Sequence, residues 1–160
     1  MSCRKLVLSL AAIIALLATV PALAAEVTAD DYKAQVEPIC KANTQANEKI
    51  LAGVRENVKQ GKLSDASRQL VAAAKALKKT RAELLQVPTP SADAARLTKW
   101  LDGVKGEVEL LETAGRKLAK DEKNGSSKTV IRLKSNAMKT NNLVLDYEFR
   151  YCKFEPQKFL

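Results

Sequence analysis

Seven positions between Leu97 and Leu118 constrain this chain more than any other stretch of it. Leu97, Leu101, Val104, Val108, Leu111, Ala114 or Gly115, and Leu118 alternate steps of four and three residues. That spacing returns side chains to one face of an α-helix. A stripe this regular predicts coiled-coil-like packing at a shallow crossing angle. Gly103, Gly106 and Gly115 sit inside it, and a glycine in a helix interior costs about 1 kcal/mol relative to alanine. A bend or a tight contact with a neighbouring helix accounts for them, and the sequence leaves both open.

Three more tracts share this character, separated by Gly61-Lys62-Leu63-Ser64, Val87-Pro88-Thr89-Pro90-Ser91 and Lys123-Asn124-Gly125-Ser126-Ser127. Pro88 and Pro90 exclude helix at the second break, and glycine with small polar residues marks the third. The first tract starts at Thr28, which with Asp31 resembles a capping box. Tyr32, Val36, Ile39, Asn43, Ala46, Ile50, Val54 and Val58 then form one face. Pro38 either kinks this helix or lies in the first turn of a main helix that starts later. Ser64 caps the second tract, whose face (Leu70, Ala73, Ala74, Leu77, Leu84, Leu85) is rich in alanine. Ser91 caps the third tract, and Ser126 or Ser127 starts the fourth. In the fourth, Val130, Leu133, Ala137, Asn141, Val144 and Tyr151 form one stripe. Ile131, Met138, Leu145, Phe149 and Cys152 form an adjoining stripe. No segment alternates with period two, so the predicted fold class is all-α. Short connections between four tracts predict an up-down-up-down antiparallel four-helix bundle.

The amino terminus reads as an export leader. Arg4 and Lys5 precede an apolar run over residues 6–20, Pro21 ends it, and Ala22-Leu23-Ala24 has the small-x-small pattern of a cleavage site. The run is short for a membrane span, which takes about 20 residues. The expected organisation is a cleaved signal peptide over residues 1–24 and a single domain over residues 25–160. The location that follows is secreted or periplasmic, at a bacterial cell envelope. Cys3 leaves with the leader, and Cys40 and Cys152 remain. Two cysteines in an oxidising space predict one disulfide. In an antiparallel bundle it joins the start of the first helix to the end of the last, because bridging needs Cα atoms within about 7 Å.

The chain has no histidine. That removes imidazole ligands for haem, copper or zinc, and the general base of a serine or cysteine triad. No catalytic, cofactor-binding or metal-ligating set is assigned. The acidic clusters are Asp30-Asp31, Glu107-Glu109-Glu112 and Asp146-Glu148. They read as solvated helix faces with pairs such as Glu112–Arg116. The formal net charge is +9, and +7 remains once Arg4 and Lys5 leave with the leader. This favours an anionic envelope polymer or lipid surface as partner. Lys75, Lys78, Lys79 and Arg81 form a candidate anion patch. No aromatic residues interleave with it, which argues against nucleic acid.

Five of the seven aromatic residues, Tyr147, Phe149, Tyr151, Phe154 and Phe159, fall in the last fourteen positions. They make either a small core over the disulfide or a contact surface for a partner. Asn43, Asn47, Asn141 and Asn142 are placed to meet inside the bundle, where a buried amide pair fixes helix register. Asn124-Gly125-Ser126 matches the glycosylation spacing by chance. The function expected is a non-enzymatic exported bundle with a binding or structural role. The alternative is a histidine-free enzyme or carrier for a small anionic or apolar ligand, including one held near the aromatic tail.

Overall fold

A computed structural model describes residues 26–160; the expected leader lies outside the described residues. These residues form four long helices and one short one: α1 (Ala29–Ile50), α2 (Val54–Lys59), α3 (Leu63–Leu84), α4 (Ala94–Ala119) and α5 (Lys123–Asn142). No strand occurs among them, and no helix among them is long and apolar enough to cross a membrane. The expected all-α class is therefore found.

The local signals of α1 behave as the sequence predicts at its start. The Thr28 hydroxyl accepts from the Asp31 backbone N–H at 3.1 Å, and the Asp31 carboxylate answers to the Thr28 N–H at 3.3 Å, a complete capping box. The Thr28 hydroxyl also donates to the Asp31 carboxylate at 2.6 Å, and this bond above all holds the Asp31 carboxyl below its usual range. Helix α1 runs unbroken through Pro38. The first tract ends earlier than its stripe implies. Residues 51–53 turn, and Gly53 takes φ 72°, a left-handed conformation that costs glycine nothing.

Other expected helix starts shift. Ser64 and Ser126 lie inside the first turns of α3 and α5 and cap neither, and Ser91 lies in a 3-10 turn before α4. The chain reverses into α5 at residues 120–122, with Asp121 at φ 59°, ahead of the expected glycine turn.

Helix α4 carries its stripe inward at every expected position. Leu97, Leu101, Val104, Val108, Leu111, Ala114, Gly115 and Leu118 are all buried. Helix α3 packs on one side of α4 and α5 on the other, while α1 and α2 pack on α3. The glycines of α4 mark the closest approaches. A Cβ on Gly103 would stand 2.2 Å from Thr140 Oγ1 of α5, and one on Gly115 would stand 3.1 Å from the Ser67 carbonyl of α3. Close contact is thus the reason for both. Residue pairs run in opposite order across each seam. Ser67 donates to the Gly115 carbonyl at 2.8 Å and Arg81 to the Leu101 carbonyl at 2.8 Å. Ser126 donates to the Ala114 carbonyl at 3.1 Å and Asn136 to the Gly103 carbonyl at 2.9 Å.

The carboxy-terminal segment departs from the sequence reading. Helix α5 stops at Asn142, ten residues short of the second cysteine, and the segment after it holds only two 3-10 turns. This tail runs along α1 in the same direction as α1. Tyr147 meets Tyr32, Glu37 accepts from the backbone N–H groups of Arg150 and Tyr151, and Arg55 donates to the Gln157 and Leu160 carbonyls. Cys40 and Cys152 are bonded, with Cα atoms 4.9 Å apart. The predicted disulfide exists, but it ties the first helix to the tail and not to a last helix.

The second stripe assigned to the fourth tract is also corrected. Ile131, Met138 and Leu145 are more than half exposed, while Phe149 and Cys152 are buried from the tail. Only the first stripe of α5, through Leu133 and Ala137, reaches the core.

Candidate functional site

The stripe on α4 contains a residue that sequence analysis left on the surface. Glu107 lies three residues after Val104 and four before Leu111, so helix geometry turns it inward with them. It is 1% exposed. Neither carboxyl oxygen has a hydrogen-bond partner in the protein. Burial raises its pKa to about 8, because a low-dielectric setting disfavours the charged form. At neutral pH the side chain is mostly a neutral acid, able to donate one hydrogen bond and accept others.

Glu107 faces a cavity of about 60 Å³ between α1, α3, α4, α5 and the tail. A water needs about 10–15 Å³ of such space, so the cavity holds a few waters or one small molecule. Asn43, Asn47, Thr80, Thr140 and Asn141 give it polar walls, and Trp100 an aromatic one. Asn47 Oδ1 and Trp100 Nε1 are buried without a partner in the protein. With Glu107 protonated, its O–H and the indole N–H stand against its carbonyl oxygen and Asn47 Oδ1; with Glu107 ionised, three orphaned acceptor atoms face one donor. Buried polar groups of this kind ordinarily find partners. The remaining titratable lining groups are Glu48 of α1 and Tyr151, Lys153, Glu155 and Lys158 of the tail, with none from α3 or α5. Glu155 and Lys158 pair with each other.

The disulfide and the tail build one wall. Thr44 donates to the Tyr151 carbonyl at 3.1 Å. Asn141 donates to the Phe154 carbonyl at 3.0 Å and accepts from its N–H at 3.3 Å. Asn47 donates to Asn43 Oδ1 at 3.3 Å along the same helix. The expected amide pair across helices is replaced by these two separate uses. Asn43, Asn47 and Asn141 line the cavity, and Asn142 is exposed.

The aromatic cluster divides. Tyr147 and Phe149 are buried, their rings stacked at 5.0 Å, with Phe149 5.8 Å from Trp100. They belong to the core below the cavity and are unavailable as a contact surface. Burial and the Asp93 carboxylate, which accepts from the hydroxyl at 2.6 Å, both push the Tyr147 pKa up. Tyr151, Phe154 and Phe159 are half-buried over the cavity.

Of the candidate anion patch, Lys75, Lys78 and Lys79 are exposed on α3. Lys79 reaches Glu83 at 3.6 Å, and Arg81 turns toward α4, where it meets Leu101 and Asp102. Glu109 and Glu112 are ion-paired at the surface, with Lys105 at 3.8 Å and Arg116 at 3.6 Å. Asp146 pairs with Arg96 at 2.5 Å, which holds its carboxyl below the usual range. The signal that separates Glu107 from its acidic neighbours is its phase in the stripe.

No family model, curated protein or solved structure matches the chain.

Proposed function

We propose that this protein is an exported, non-enzymatic binding protein, and that its ligand site is the cavity around Glu107. The long helices form an up-down-up-down antiparallel bundle in this reading, supported by the opposed order of residue pairs across α3–α4 and α4–α5. The leader pattern and the disulfide support secretion or a periplasmic location. The observation that carries the binding reading is the buried carboxyl of Glu107 without a protein partner, facing a space of ligand size. A cation beside Glu107 favours its ionised form, and the ionised carboxylate with Asn47 Oδ1 then offers three acceptors, so the ligand is a small cation with N–H donors, a primary ammonium being the simplest. An anionic ligand suits the cavity poorly, because one of its two lysines, Lys158, is paired with Glu155, and Glu48 and Glu107 also line it. The anionic envelope partner belongs instead to the outer surface, at Lys75, Lys78 and Lys79.

Thermal unfolding of residues 25–160 in ethylammonium chloride, against sodium chloride at equal ionic strength, tests this. Ethylammonium is expected to raise Tm in the native protein and to lose that advantage in E107Q. Equal Tm values in the two salts, or a gain that survives in E107Q, count against the reading.

A further inference from the structure

A second hollow lies past the end of the tail, where Leu160 lines it while the neighbouring Phe159 lines the Glu107 cavity. Helix α2 packs on α3, and α5 packs on α4. Between α2 and α5 a groove of about 330 Å³ opens, at the small end of the range for ligand sites, about 300–1,000 Å³. Its floor is Val54, Leu70 and Leu118, each under 5% exposed. Val58 and Val130 form its walls, and Ile131, 66% exposed, forms its lip. Ile131 is continuous with the apolar floor, so floor, walls and lip form one apolar patch rimmed by polar residues, the kind that marks a binding groove.

The charged side chains around this groove are of one sign, and Leu160 of the tail also lines it. Arg55, Lys59, Lys123 and Lys134 line it and no acidic residue does. Among the described residues, none of the four is in an ion pair. Arg55 uses one guanidinium nitrogen on the Gln157 and Leu160 carbonyls, at 3.3 and 2.9 Å, which leaves other donors free. The lysine patch on α3 differs in lying on an exposed helix face, with Lys79 already engaged by Glu83.

We infer that the groove between α2 and α5 binds one single-chain anionic amphiphile, a fatty-acid-type carboxylate. Its acyl chain lies on the Val54–Leu70–Leu118 floor and its headgroup among Arg55, Lys59, Lys123 and Lys134. An apolar floor alone would accept any hydrocarbon. The ring of cations selects a chain with a negative end, and the groove's volume suits one chain better than two.

Titration calorimetry of residues 25–160 with decanoate, well below its micelle concentration, tests this against uncharged 1-decanol. Saturable binding at one site is expected, with decanol at least about fivefold weaker because the cations go unanswered. Ile131→Asp places a carboxylate at the lip and is expected to weaken decanoate about tenfold or more. K123Q/K134Q is expected to weaken it and to flatten its salt dependence. Ile131→Ser replaces I131D if the latter lowers Tm, with a smaller loss in the same direction. E107Q is expected to leave decanoate binding unchanged, so this inference and the cavity reading fail separately. Absence of saturable heat, decanol matching decanoate, or lip variants that bind like the native protein would overturn it. A dimer that dissociates on I131D would overturn it too, by giving the groove to a second copy.

Discussion

The two sides of α4 and the space facing α1 are built on opposite principles. Along α3–α4–α5, small residues let backbones close in, and hydroxyl and amide side chains bond to facing carbonyls. Across from α1, the interior is a cavity with polar groups set into apolar walls, closed off by a tail without long helices and held by one covalent bond. The first region is sealed by shape, which tolerates no extra volume. The second is sealed by tethering, which leaves room for polar groups. Helices that meet leave no space for chemistry; the ligand-sized interior exists because a tail stands where a helix contact would otherwise be.

Cutting the tether is the largest perturbation. C40A/C152A opens a loop with a sequence separation of 112, and the chain-entropy model puts the loss at about 4–5 kcal/mol. Denaturant unfolding of native and variant protein measures it. Limited proteolysis is expected to cut first after Asn142. If cuts fall first in α3 or α4, the contrast between tethered and shape-sealed regions is wrong.

Crowding the seam comes next. Gly103→Ala brings a Cβ to 2.2 Å from Thr140 Oγ1 and 2.9 Å from Thr140 Cβ. Thr140 cannot clear this by moving its hydroxyl alone, so α4 and α5 must part. The expected net loss is about 1–3 kcal/mol, against a helix-propensity gain of about 1 kcal/mol. A variant more stable than the native protein would mean the seam is looser than its distances state.

The last effect is graded with pH and is modest within any single pH unit. Glu107 is held at about 8 in the folded protein, while an unfolded glutamate titrates near 4.3. Between those values the folded state binds the extra proton, so folding stability falls as pH rises. The slope reaches about 1.4 kcal/mol per pH unit and vanishes below and above that window. E107Q is expected to flatten this part of the profile, measured as denaturation midpoints between pH 5 and pH 8. A native profile that rises across the window would show the carboxylate to be paired and charged.

The shape-sealed region was legible because each of its residues reports the same period. Leu97 through Leu118 alternate strictly, and a helix packed on two sides needs that pattern. The tail was not legible for a related reason. Val144, Phe149, Tyr151 and Cys152 continue the α5 stripes in phase, and no glycine or proline announces the end of the helix. Tyr147 and Phe149 held the contrary signal. They are two residues apart, which a helix sends to different faces, yet both are buried and stacked. Glu107 was missed by reading it with Glu109 and Glu112 as a charge cluster. Read by phase, it stands among valines and leucines. The break at Gly53 left only a glycine as warning, and its positive φ is a property of the turn, invisible in composition.

The bond between Cys40 and Cys152 also sets an order of events for a chain that emerges amino terminus first. Cys40 is available early, while its mate arrives only after every long helix has emerged. Closure therefore reports that synthesis has passed Cys152. A chain that stops short of Cys152 leaves Cys40 without its mate on α1, so this bond forms only in copies that carry the tail.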